Sequence, residues 1–243
     1  MTLREQTEKH ASAFLDVMKD IEKLFPEDFE YIEDSIPYTE PFEEDWKNYR
    51  FRSSVFRLAH IEVYTDGRYS VLHVTCFPQT NIPAPIFGFD LVGIDRLNKY
   101  TASFFDLSPT TNISDRETDL FPSMGLYPYR SVESFGKTRV IPEWGDIFSQ
   151  YFVCIEPEME YIVDIVGMAS ACFRHLIYAL YYSNKCNHDL IDRSEQRLNE
   201  IIDNQRRYCE MQSQNKKTFS VLKSKVGKEN ASLYMKEVLF PKP

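Results

Sequence analysis

The stretch VLHVTCFPQTNIPAPIFGFDLV, residues 71–92, decides how the chain reads. Two runs rich in β-branched and aromatic residues flank the polar, proline-punctuated QTNIPAP, the pattern of strand, loop, strand. Within the two runs sit His73 and Asp90, ionisable groups in apolar strands, where burial is costly without a partner or a task. Working upstream, residues 55–77 read as a hairpin centred on Asp66-Gly67, a dipeptide favoured in two-residue turns. Downstream, the pattern predicts strands near 86–94, 100–107 and 147–155. The ends of the chain turn helical. An amphipathic helix is expected over 3–25, where Leu15, Met18 and Ile21 recur at helical spacing, and others over 158–183, 188–212, 217–224 and 228–238. The acidic segment 26–46 reads as loop with a short strand. Strands in the middle, helices at the ends and no βαβ alternation imply an antiparallel sheet packed by helices. The expected class is α/β, a three-layer α/β/α sandwich, in one domain over residues 1–243.

With Asp66-Gly67 as the turn, Thr65 pairs with Arg68, Glu62 faces Val71 and His60 faces His73. Because side chains alternate, Ala59, Ile61, Val63, Leu72, Val74 and Cys76 share an apolar face. Leu58, His60, Glu62, Val71, His73 and Thr75 share the other. Three ionisable groups thus converge on one face of one hairpin. The ordinary reading of such a face is a solvated one, and two of the five histidines beside a glutamate suggest a site without deciding it. The same three groups could in principle ligate a metal, but that constellation is weak without a matching loop or supporting outer shell.

Composition narrows the field. At 43% hydrophobic residues the chain can bury a core. A net charge of −9 argues against nucleic acid as the main partner. The charge is uneven: residues 1–50 carry a net −8, residues 204–243 a net +6, which points to an anionic ligand or acidic partner near the C-terminal segment. The five cysteines are scattered without CxxC spacing, which fits a reducing compartment, so a cytoplasmic location is expected. The N-terminus is too charged for a signal peptide, and the apolar run near 162–182 is interrupted by Asp164, Arg174 and His175, so a membrane span is not expected. No GxGxxG, Walker, GxSxG or HExxH motif occurs.

The segments HIEV, VLHVTCFP, PIFGFDLVG and FFDLSP, followed by PEWGDIFSQYF, YCEMQSQNKKT and YMKEVLF, resemble the ferredoxin-dependent bilin reductases, in the same order from about residue 45 to the C-terminus. The phycocyanobilin-forming branch is the most similar. The resemblance implies a bilin held between the sheet and the C-terminal helices. It implies reduction of biliverdin IXα by single electrons from reduced ferredoxin, a [2Fe–2S] protein, with no bound cofactor or metal. A monomer is expected. Carried over by position, Asp90 matches the central proton donor and His73 its partner. Glu62 matches the glutamate serving the D-ring vinyl group, and His60 the histidine behind it. Thr101 and Lys217 match positions that contact the bilin, the lysine near a propionate. Adding an electron to the tetrapyrrole raises its basicity, so an acid must stand close, and burial of a carboxyl group against an apolar ring system favours its protonated form.

Two positions depart from the family pattern. Lys216 stands where much of the family has an aspartate, leaving more of the proton delivery to Asp90 and His73, with Asn215 and water as helpers. Glu156 stands where the most similar branch has an arginine on a propionate; Arg206, Arg207, Lys216 and Lys217 are the expected replacements. Glu62 favours phycocyanobilin as product, while the departures leave phycoerythrobilin open. A carrier that binds bilin or haem without chemistry is the competing reading. For docking of ferredoxin the candidates are Lys223, Lys225 and Lys228.

Overall fold

The computed structural model describes residues 1–33, 36, 38–111, 133–141, 145–149, 152–185 and 194–243. Its centre is one antiparallel sheet of eight strands: β1 (Phe29–Tyr31), β2 (Trp46–Ser53), β3 (Phe56–Thr65), β4 (Tyr69–Pro78), β5 (Ile86–Ile94), β6 (Lys99–Ser108), β7 (Gly136–Thr138) and β8 (Val153–Pro157). Their order in space is β1-β2-β3-β4-β5-β6-β8-β7. Among the described residues the α-helices are α1 (Leu3–Leu24), α2 (Ile162–Lys185), α3 (Glu195–Gln212) and α4 (Lys216–Leu233), the last running into a π-helical turn, Tyr234–Leu239.

Period-two alternation divides the core in two. One face of the sheet presents Ile61, Leu72, Val74, Phe87 and Phe89 to α1 and α2, and Phe14 and Phe173 fill the space between. Phe14 stacks on Phe89 at 5.4 Å and meets Phe173 edge-on at 5.7 Å. The other face presents Trp46, Leu58, Tyr64 and Phe77 to Tyr208 and Cys209 of α3 and to Leu222, Tyr234 and Met235 of α4 and its extension. Each strand residue therefore belongs to one of two layers, and the three-layer arrangement follows. By length and composition α2 could cross a membrane. Its apolar side, with Ile165, Ala169, Phe173 and Ile177 nearly inaccessible, packs on the sheet as a core helix.

The hairpin turn differs from the expected one. The loop is Gly67-Arg68, one residue later, with Thr65 opposite Ser70. Asp66 is the reason: its Oδ1 accepts from the backbone N–H of Arg68 and of Tyr69, each at 2.9 Å, and its own N–H donates to the Tyr69 carbonyl at 3.1 Å. Asp66 thereby closes the ladder, and Gly67 (φ 79°) takes the first loop position, which type II′ turns reserve for glycine. The register moves by two, so Glu62, not His60, lies opposite His73, and His60 lies opposite Thr75. A shift of two keeps every residue on its expected face.

Elsewhere the boundaries shift. The segment near 147–155 holds a 3₁₀ turn (Gly145–Ile147) before β8 begins at Val153, and β2 and β7 are strands the pattern does not announce. The two expected C-terminal helices form one element broken at Gly227 (φ 81°, ψ 170°), a conformation open to glycine. Cys76, Cys154, Cys172 and Cys209 are free and buried, while Cys186 and the start of the helix expected over 188–212 lie outside the described residues.

Candidate active site

The registers of β2, β3, β4, β5, β6 and β8 align one residue from each strand into a single row: Asn48, Glu62, His73, Asp90, Phe104, Cys154. Directly opposed residues share a face, so the row points as a unit away from α1 and α2. Above it lies a cavity of about 910 Å³, roofed by α3, by α4 and by Leu239 and Phe240. This is the size range of pockets that take small organic ligands.

His73 and Asp90 form the centre. His73 Nδ1 lies 2.5 Å from Asp90 Oδ1. The imidazole is nearly covered, whereas the Asp90 carboxyl is about a third open to the cavity (36%). Burial would lower the pKa of His73, but the negative charges of Asp90 and Glu62 and the hydrogen bond to Asp90 outweigh it and raise the value above 6.5. The imidazole thus meets the Asp90 carboxyl at the cavity floor with a raised tendency to hold its proton.

Glu62 is buried deeper and held from the far side. Its Oε1 accepts from Trp46 Nε1 at 2.5 Å and from the Tyr234 hydroxyl. Trp46 Nε1 also reaches the Tyr234 oxygen at 3.0 Å, and that hydroxyl lies 2.6 Å from Asn48 Oδ1. Burial raises the Glu62 pKa, against the lowering pull of His73, Tyr234 and Trp46. Glu62 is thus a carboxyl group with a shifted tendency to keep its proton, 172 residues from the tyrosine that orients it.

His60 stands behind this row. It bonds Asn48 Oδ1 through Nε2 at 2.8 Å, and its ring centroid is 6.1 Å from that of His73. Complete burial, with the charge of His73 beside it, pushes its pKa well below 6.5, so it is neutral at physiological pH. His60 Nδ1, His73 Nε2 and Thr75 Oγ1 are buried with no protein hydrogen-bond partner among the described residues.

Thr101, Asn215 and Lys217 also line the cavity, as does Lys216. Asn215 caps α4, its Oδ1 accepting from the N–H groups of Lys217 and Thr218 at 3.1 and 3.3 Å, which leaves its amide NH₂ for a ligand. Of the cations expected to replace the missing arginine, Lys216 and Lys217 reach the cavity. The two arginines do not: Arg206 pairs with Asp203 and Arg207 with Asp146 on the surface. Glu156 is drawn to Lys99 at 2.8 Å. Lys225 is turned inward, 3.3 Å from Asp45 and over the Phe42 ring, while Lys223 and Lys228 are exposed.

Several residues around the site carry no sequence signal of a role. Trp46 and Tyr234 donate to Glu62 from behind the cavity wall, and Asn48 bonds the Tyr234 hydroxyl. Asp106, one row along from Asp90, is buried and pushed up to about 6 by that burial, against the lowering bonds from Ser108 and Ser149. Three donors hold it as a structural clasp between β6 and the segment at Ser149. Among the described residues, no group of three His, Cys, Asp or Glu side chains is placed to hold a metal.

Comparison with known proteins places the chain in a family. A family model described as ferredoxin-dependent bilin reductase matches residues 5–241. The phycocyanobilin:ferredoxin oxidoreductase of Trichodesmium erythraeum is 32% identical over 203 residues, 81% of this chain and 76% of that protein. The protein of the same name from Synechococcus elongatus is 30% identical over the same shares. The crystal structure of tomato phytochromobilin synthase in complex with biliverdin superposes with a TM-score of 0.66 at 16% identity, covering 90% of this chain and 79% of that one. The chain belongs to the ferredoxin-dependent bilin reductases.

Proposed function

We propose that the chain reduces biliverdin IXα to a phycobilin, phycocyanobilin or phycoerythrobilin, using four single electrons from reduced ferredoxin and four protons. The observation that carries this reading is the row Glu62–His73–Asp90, three acid–base groups on adjacent strands under one ligand-sized cavity. An electron that enters the conjugated system makes the bilin more basic, and a proton must follow. Asp90, open to the cavity, donates it; His73, 2.5 Å behind, reloads Asp90. Glu62 serves the reduction at the D-ring vinyl group. Its Trp46 and Tyr234 donors hold the carboxyl in place as it changes charge. His60 is a neutral positioning residue, acting through Asn48. Thr101, Asn215 and Lys217 hold the ligand's rim.

Ferredoxin, carrying a [2Fe–2S] cluster, supplies the electrons from outside, so the chain needs no resident cofactor or metal. Its docking draws on the exposed lysines 223 and 228, since the chain as a whole is acidic. We place the enzyme in the cytoplasm, as a single-domain monomer without nucleic-acid or membrane partners.

The test is an anaerobic reaction with biliverdin IXα and a ferredoxin-reducing system, followed by absorbance and chromatography of the bilins. A four-electron-reduced phycobilin is the expected result, with phycocyanobilin favoured by Glu62. Bound but unchanged biliverdin would leave a carrier protein in its place.

A further inference from the structure

Residue 57 breaks the division between the two faces of the sheet. By alternation Arg57 belongs with Ala59 and Ile61, beneath α1 and α2. Yet Phe56 pairs with Pro78 and Leu58 with Phe77, which makes Arg57 the extra residue of a β-bulge, a device that re-aims a side chain. Its guanidinium emerges on the open face, 4.4 Å from the centroid of the Phe77 ring. Nε donates to the Gln205 amide oxygen at 2.8 Å, Nη1 to the Pro241 carbonyl at 2.8 Å, and Nη2 toward the Cys209 thiol at 3.8 Å. The Pro241 carbonyl accepts a second bond, from Cys209 Sγ at 3.3 Å. Gln205 in turn donates to the Pro78 carbonyl, at the bulge, at 3.0 Å. A half-buried cation whose bonds go to neutral groups is a costly arrangement that calls for a task.

That task is legible one residue before Pro241. Phe240 is buried, lines the cavity and meets the His73 ring edge-on, with centroids 6.0 Å apart and planes at 85°. His60 packs on the same imidazole at 6.1 Å, while Nδ1 reaches Asp90. Phe240 has a second side. With Gln214 it also lines a surface hollow of about 580 Å³, bordered by the exposed Glu210, Lys236 and Lys242. Phe240 and Gln214 line both spaces and so form the partition between them. Just beyond the Arg57 clamp, Lys242 pairs with Glu210 of α3 at 2.6 Å.

We propose that Arg57 is a positioning residue. By clamping the Pro241 carbonyl it holds Phe240 on His73, which keeps the imidazole aligned on Asp90 and shielded from water in the hollow. The inference rests on the bilin reading and deepens it, because in that reading His73 reloads Asp90. An imidazole open to bulk water on its far side would exchange its proton with solvent instead of passing it to the donor.

The experiment follows, by proton NMR of the ligand-free full chain, solvent exchange of the proton in the His73–Asp90 hydrogen bond, its resonance assigned by loss in His73→Gln. Loss of a charge-assisted bond in Arg57→Met should speed exchange roughly 10-fold, and Arg57→Lys, which keeps a donor for the carbonyl, should speed it less. Phe240→Ala should speed it at least as much, and the double variant no more than Phe240→Ala alone, because the arginine acts through the ring. With biliverdin and reduced ferredoxin, Arg57→Met should lower kcat at nearly unchanged KM for biliverdin. Unchanged exchange in Arg57→Met, even with a lower thermal midpoint, would make the arginine a brace for the bulge and overturn the proposal. Additive effects in the double variant would overturn it as well, as would fast exchange with an unchanged kcat. Should Arg57→Met not fold, the same comparisons with Arg57→Lys decide. Failure of the unaltered protein to reduce biliverdin would remove the bilin reading and the reaction role with it, while the exchange rates still separate a clamp from a brace.

Discussion

Alternate residues of the same three strands serve two different regions. Ile61, Val74 and Phe89 point toward α1 and α2 and are at most 1% accessible, in a close-packed layer with Phe14 and Phe173. Glu62, His73 and Asp90, their immediate neighbours in sequence, point the other way into a 910 Å³ cavity and carry the ionisable groups. The sealed face supplies the apolar burial that fixes the strands. The open face can then hold charged groups that would be costly in a core of their own. Rigidity on one side is what sets the 2.5 Å contact on the other.

That division can be tested from both sides. The largest effect is expected at Asp90. Asp90→Asn keeps the shape and removes the acid, and should lower turnover by about 10²–10⁴-fold with little change in thermal midpoint or biliverdin affinity. Ile61→Ala, one residue from Glu62, should do the reverse. A cavity left in the sealed layer costs about 2–5 kcal/mol in denaturant titration, with kcat nearly unchanged in the fraction that remains folded. If Ile61→Ala abolished turnover while stability held, the two faces would not be separable.

A smaller effect belongs to Tyr234→Phe. Removing one donor to a buried carboxyl raises the Glu62 pKa further and costs about 1–3 kcal/mol of local interaction. The expected readout is slower reduction of the D-ring vinyl group, seen as a larger share of bilin that retains that vinyl group. The smallest is pH-linked. The His73 pKa is raised in the fold, so the stabilisation it brings is complete below about 6.5 and is lost as pH rises through the folded value. The thermal midpoint should therefore fall with alkaline pH in the unaltered protein and fall less in His73→Gln.

Most of this division was legible in the sequence, and the parts that were not have physical reasons. The assignment of Ile61 and Glu62 to opposite faces needs only the period of two. It survives an error of two in register, whereas the identity of each cross-strand partner does not. The partner depended on Asp66 turning its carboxylate onto two backbone N–H groups, which the Asp-Gly pair alone does not reveal. Strand β2, with the burial pattern of Trp46 and Phe51 interrupted by Lys47, Asn48, Tyr49 and Arg50, lacks the alternation that announces a strand. Trp46 and Asn48 stayed hidden with it. Tyr234 lies in a helical extension far along the chain, and only the packing of α4 on the sheet brings it to Glu62. The acid–base roles proposed for His73 and Asp90 came from family resemblance, whereas their contact is a property of the register between β4 and β5.

The central claim is that the open face delivers protons to a bilin that receives electrons from elsewhere. Its most direct test is an anaerobic single-turnover experiment on Asp90→Asn with bound biliverdin IXα and reduced ferredoxin, followed by visible absorbance and electron paramagnetic resonance. Electron uptake without a proton donor predicts a long-lived organic radical and little phycobilin. Phycobilin formed at the rate of the unaltered protein, with no radical accumulating, would contradict the account.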